Sequence, residues 1–139
     1  MTLSMRNQLA GTVATVTSGE AMATVRVALT GGGQLTAAIT KEAVEDLGLA
    51  PGSSVRALVK STEVSLATGP VQGLSIRNRL PGTVTGIATG PAMASVKVAV
   101  DGGELTAAVT RDAADDLALA EGSAVVALFK ATEVALATL

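Results

Sequence analysis

The chain has no cysteine, histidine, tryptophan or tyrosine, and Phe129 is its single aromatic residue. Disulfides, zinc sites and thiol or imidazole catalysis are thereby excluded. Aromatic platforms for stacked bases are missing as well. The net charge is −2, with 10 Lys/Arg against 12 Asp/Glu and no basic stripe, so the composition argues against nucleic acid as a partner. No apolar run approaches the ~20 residues of a membrane span. Met1 leads directly into strand-like sequence without a signal peptide, and the expected location is cytoplasmic.

What the chain does contain is Ala, Val and Leu: 48% of its 139 residues are hydrophobic, too many for disorder. Half of such a chain, without aromatics, buries a small share of its surface and would be marginal alone. With cysteines and metals unavailable, oligomerisation is the expected remedy, and a homo-oligomer is predicted.

The phrase LSMRNQLAGTV (Leu3 to Val13) returns as LSIRNRLPGTV (Leu74 to Val84). Aligned at an offset of 71, then 70 once Gly31-Gly32-Gly33 shortens to Gly102-Gly103, the halves agree at more than half their positions. The reading is two tandem copies of one small domain, residues 1–68 and 74–139, with 69–73 as a linker broken by Gly69-Pro70. A single domain with internal symmetry is the alternative.

Each copy has one grammar. Leu9 to Val16 reads as a strand, with Gly11 as a bulge or close-approach point. Ala23, Val25, Val27 and Leu29 alternate with more polar neighbours, and the glycine run at 31–33 turns into Leu35, Ala37 and Ile39, alternating again. The period then changes to helical, with Thr40 as N-cap and Gly48 as the stop. Val55 to Lys60 and Val64 to Leu66 supply a fourth and a fifth strand. Five short strands with one small helix after the third predict a mainly β chain of two tandem OB-like five-stranded Greek-key barrels.

Polar residues kept in both copies are the candidates for chemistry: Ser4/Ser75, Arg6/Arg77, Asn7/Asn78, Thr40/Thr110, Lys60/Lys130 and Glu63/Glu133. Ser4 and Arg6, two apart in extended chain, project to one side. Lys60 ends an apolar strand. Thr40 caps a helix start, and Ala43 and Ala113 are small enough to leave the third helical N–H open to a ligand. Donors and fixed charge without an acceptor suit a fully ionised oxyanion. Taken singly, each has a plain reading: Ser4 and Asn7 as strand caps, Arg6 and Lys60 as solvated charges, Thr40 as an N-cap alone. Glu63, Glu133 and the helix acids read as a solvated face.

SMRNQLAGTV and SIRNRLPGTV, each followed by LTAAIT or LTAAVT and then by VKSTEV or FKATEV, resemble the molybdate-binding Mop domain of the molbindin family. The resemblance covers both halves. It implies an OB-like barrel for each copy, a trimer of two-domain chains, and a cytoplasmic role in molybdenum storage and homeostasis. Molybdate, with tungstate as analogue, would sit at interfaces as a bound ligand. Ser4, Arg6 and Lys60 would come from one domain, and Thr40 with the backbone at Ala43 from a neighbour. Ser75, Arg77, Lys130, Thr110 and Ala113 are the second-copy equivalents. Asn7 and Asn78 match the motif and join the donor set, with fixing the loop as their other reading. Relatives carry a serine where this chain has Ala43 and Ala113, which reduces that contact to backbone. The alternative role is a ligand-sensing module acting with a separate DNA-binding or transporter partner. Enzyme activity is not expected, because no nucleophile–base pair is present and Gly31–Gly33 lacks the Lys-Ser/Thr of a phosphate loop.

Overall fold

Period-two patterning dictates the strands. In β2 (Met22–Leu29) the residues Ala23, Val25, Val27 and Leu29 are buried while their neighbours are exposed. The computed structural model describes residues 2–139. The first copy continues with β3 (Gln34–Thr40), α1 (Lys41–Leu47), β4 (Ser54–Val59), a 3-10 turn (Ser61–Glu63) and β5 (Ser65–Ala67), all preceded by β1 (Asn7–Ser18). The second copy repeats the order: β6 (Asn78–Thr89), β7 (Met93–Val100), β8 (Gly103–Thr110), α2 (Arg111–Asp116), β9 (Ala124–Phe129), a 3-10 turn (Ala131–Glu133) and β10 (Ala135–Thr138). No helix among the described residues is long and apolar enough to cross a membrane.

Two five-stranded antiparallel sheets result, and the expected mainly β architecture holds. The order 4-1-2-3 of a Greek key is present in each, as β4-β1-β2-β3 and β9-β6-β7-β8. The fifth strand departs from expectation. Val64 to Leu66 is expected to complete its own barrel, yet β5 pairs with β9 of the second sheet, and β10 pairs with β4 of the first. Each 3-10 turn carries the chain from one sheet to the other. Residues 1–68 and 74–139 are therefore units of sequence, whereas each sheet takes its last strand from the opposite copy. The linker joins β5 to β6 within one sheet, and Arg79 pins it by donating to the carbonyls of Ile76, Val71 and Leu74.

Strand exchange joins much of the two cores, while Val84, Val96, Val98 and Val125 keep a smaller cluster of their own. Leu9, Val25 and Val64 share one buried cluster with Leu80, Leu105, Phe129 and Val134. Phe129 is 1% exposed, and truncation to Ala would cost about 3–5 kcal/mol. A half-chain too small for its own core thus borrows from its twin. Gly11 marks a close approach rather than a bulge, since a Cβ there would meet Ala28 O and Val27 Cγ1 at 2.6 Å. The bulge lies further along β1, where the β1–β2 register shifts between Val13 and Thr15.

Glu63 and Glu133 do not form a solvated face. Both are half-buried, and the side-chain hydrogen bond between them is the first cause that raises the Glu133 carboxyl above its ordinary 4.5. Burial and the Glu63 charge act the same way, while the Lys130 charge and backbone oppose them. A raised folded-state pKa contributes stability that is complete below the ordinary value and lost as pH rises through the folded value. Glu133→Gln, which can donate to Glu63 at any pH, should flatten that loss. Melting temperatures followed from about pH 4 upward should converge at the acid end and favour the variant near neutrality.

The two helices stop differently. Gly48 closes α1 in the left-handed region at φ 62°, its N–H bonded to Glu45 O. Ala118 takes the same place after α2 at φ 50°, its N–H bonded to Asp115 O. A Cβ there is strained. Ala118→Gly should stabilise the chain by about 1 kcal/mol in urea unfolding, the strain relief being partly offset by the freer unfolded glycine.

Candidate oxyanion-binding site

Antiparallel pairing of β1 with β4 assembles the first donor group. Asn7 opens β1 opposite Val59, the last residue of β4, so the segment before β1 runs beside the segment after β4. Ser4, Arg6 and Lys60 consequently line one open depression of about 260 Å³ with Met5, Ser61 and Thr62. The pairing of Asn78 with Phe129 does the same in the second copy. There Ser75, Arg77 and Lys130 line about 240 Å³ with Ile76, Ala131 and Thr132. Neither lining contains a carboxylate. Two cations and a serine hydroxyl face solvent together, twice.

The helix caps stand apart from these groups. Thr40 Oγ1 accepts the Ala43 N–H at 3.1 Å, and Thr110 Oγ1 accepts the Ala113 N–H at 3.1 Å. The third helical N–H, expected to be open to a ligand, is held by the cap in both copies. Thr40 lines a different depression, with Glu20, Ala21, Lys41, Glu42 and Glu45. Thr110 and Ala113 line a mainly apolar one of about 440 Å³ that includes Thr62, Leu66 and Met93. Thr62 is common to that cavity and to the Ser4–Arg6–Lys60 depression. The 3-10 turn Ser61–Glu63 packs on β8, so the donor group of the first copy is a neighbour of the cap of the second.

For Asn7 and Asn78 the geometry agrees with the second of their two readings, a fixing role. Each is 2% exposed. Asn7 Nδ2 donates to Thr106 O at 2.8 Å, and its Oδ1 accepts the Thr106 N–H at 2.8 Å. Asn78 forms the same pair with Thr36, at 2.8 Å each way. Thr36 and Thr106 lie on β3 and β8, the outer strands of their sheets, whose free backbone edge needs partners. These amides are spent on main chain of the opposite half and are not grouped with the Ser, Arg and Lys side chains of the depressions. Sequence reasoning missed Thr62 and Thr132 as lining residues; their retention in the TEV block was the available signal.

A family model described as "TOBE domain" matches residues 3–66 and 74–136. The molybdenum-pterin-binding protein MopA of Rhodobacter capsulatus is 44% identical over 140 residues, covering 99% of this chain and 52% of that protein. The chain thus spans about half the length of such curated relatives. Molybdenum-pterin-binding protein 3 of Clostridium pasteurianum is 39% identical over 66 residues, 48% of this chain and 97% of its own length. One copy here therefore corresponds to a whole protein there. Among solved structures, the cytoplasmic molybdate-binding protein ModG, with molybdate bound, superposes with a TM-score of 0.96 at 40% identity over 100% of both chains. The match of both halves to one model, together with this superposition, leads to one conclusion: the chain belongs to the TOBE domain family, as a tandem pair of such domains.

Proposed function

We propose that the chain binds molybdate or tungstate, as a cytoplasmic store that buffers the anion. The observation that carries this reading is the duplicated depression in which Ser, Arg and Lys donors converge with no carboxylate in the lining. A tetrahedral dianion offers four acceptor oxygens and no proton. An all-donor lining suits it better than hydrogen phosphate, which would also need an acceptor. Hydrogen bonds to charged groups contribute roughly 1.5–3 kcal/mol each. Three or four reach the ~8 kcal/mol of micromolar affinity. MopA and ModG, by their names and by the anion in the ModG structure, support this choice of ligand.

Each depression gathers its Ser, Arg and Lys donors from one copy and stays open to solvent. We place its completion at an interface in a trimer, where the Thr40 or Thr110 hydroxyl of a neighbouring domain closes the shell. The exposed apolar pairs Leu3/Leu74 and Met22/Met93 support association through equivalent surfaces of the two copies.

Calorimetric titration with molybdate, tungstate, sulfate and phosphate, beside a native mass measurement, tests the reading. Arg6→Ala and Lys60→Ala should each weaken molybdate binding by about tenfold or more, and Ser4→Ala by less, with melting temperatures unchanged. Arg77→Ala and Lys130→Ala should do the same for the second set. Sulfate bound as tightly as molybdate would sink the ligand assignment, and a stable monomer that binds with full affinity would sink the interface.

A further inference from the structure

We propose that Asn7 and Asn78 are positioning residues for the anion donors. Each locks the donor segment beside it onto the strand of the opposite half that leads into that half's helix cap. The inference deepens the oxyanion reading above and rests on it.

The geometry is reciprocal. Asn7 is the first residue of β1, directly after Ser4–Arg6, and it faces Val59, directly before Lys60. Ser4, Arg6 and Lys60 thus diverge from the Asn7–Val59 pair. The donor segment itself is irregular, and among the described residues a single side-chain bond, Gln8 Nε2 to Met5 O at 3.0 Å, ties it to β1. The Asn7 amide fixes the base of this group to Thr106, four residues before the Thr110 cap on β8. Asn78 fixes Ser75, Arg77 and Lys130 in the same way to Thr36, four residues before Thr40.

Asparagine suits the task because its amide carries one donor and one acceptor on the same short arm, the pattern of a strand residue. Burial removes competing water and strengthens both bonds. Donors already held in place lose less freedom when an anion arrives, so the clamp should tighten binding without touching the ligand. Its nearest analogy is the outer-shell partner of a metal ligand, whose loss weakens binding by roughly 10–100-fold.

Substitution by aspartate gives the decisive test. In Asn7→Asp, the protonated carboxyl reproduces the amide pattern, with O–H to Thr106 O and C=O from Thr106 N–H. The ionised form turns a carboxylate on the Thr106 carbonyl. Titrations of the parent, Asn7→Ala and Asn7→Asp with molybdate at several pH values between about 5 and 8 should separate the cases. Asn7→Ala should bind about tenfold more weakly at every pH. Asn7→Asp should match the parent at the acid end and fall away from it as the carboxyl ionises. Val25→Ala, a buried core change away from the depressions, serves as a control matched in lost melting temperature and should bind like the parent. If Asn7→Ala does not fold, the Asn7→Asp series carries the test alone. An Asn7→Asp affinity that tracks the parent at all pH values overturns the proposal. So does a control that loses as much affinity as the variant, because the loss would then report stability only. A parent that binds neither molybdate nor tungstate sinks the oxyanion reading itself, whereas a binding parent with indifferent variants sinks this inference alone.

Discussion

The structure depends on the exchange of the last strand between the two halves. Without β10, the first sheet would end at β4 with a row of unpaired N–H and C=O groups, and without β5 the second would end at β9 in the same condition. Each half repairs the other's edge. The exchange also draws Val64 and Val134 into a cluster that contains residues of both copies. A chain built from Ala, Val and Leu with one aromatic gains in shared burial what each half lacks in size. Neither copy closes its sheet without its twin, so the pair is expected to unfold as one.

The same crossing organises the candidate site. The 3-10 turn that leaves β4 passes directly from Lys60 toward the opposite half, which places Thr62 against the Thr110 cap and brings Glu63 to Glu133. The two carboxyls engage each other, and neither enters the lining of the Ser–Arg–Lys depressions. The result is a pair of electropositive hollows in a chain of net charge −2. Charge is placed by topology here, not by composition.

Much of this is legible in the sequence for local reasons. Alternation in Met22–Leu29 produces a strand because one face must be buried, and Thr40 with Gly48 brackets a helix because caps act within a few residues. Ser4, Arg6 and Lys60 can be grouped because an antiparallel β1–β4 pair joins the start of one strand to the end of the other. In sequence Asn7 stays open between ligand donor and loop clamp because its partner is the main chain of Thr106, 99 residues away, and main chain has no sequence signature. The Ala43 N–H passes for open because residue size says nothing of the direction of the Thr40 hydroxyl.

By itself the sequence determined the duplication, the strand order within each copy and the helix caps, since all of these follow from short-range periodicity and residue chemistry. It did not determine which sheet receives each final strand. Ser65-Leu66-Ala67-Thr68 and Ala135-Leu136-Ala137-Thr138 differ by one residue, so either fits beside either partner with nearly equal local pairing energy. Tertiary structure decided that choice. The path of the chain out of the 3-10 turns, the shared core and the Asn7 and Asn78 clamps all favour the crossed arrangement, and they are long-range terms that exist only when both halves are folded together.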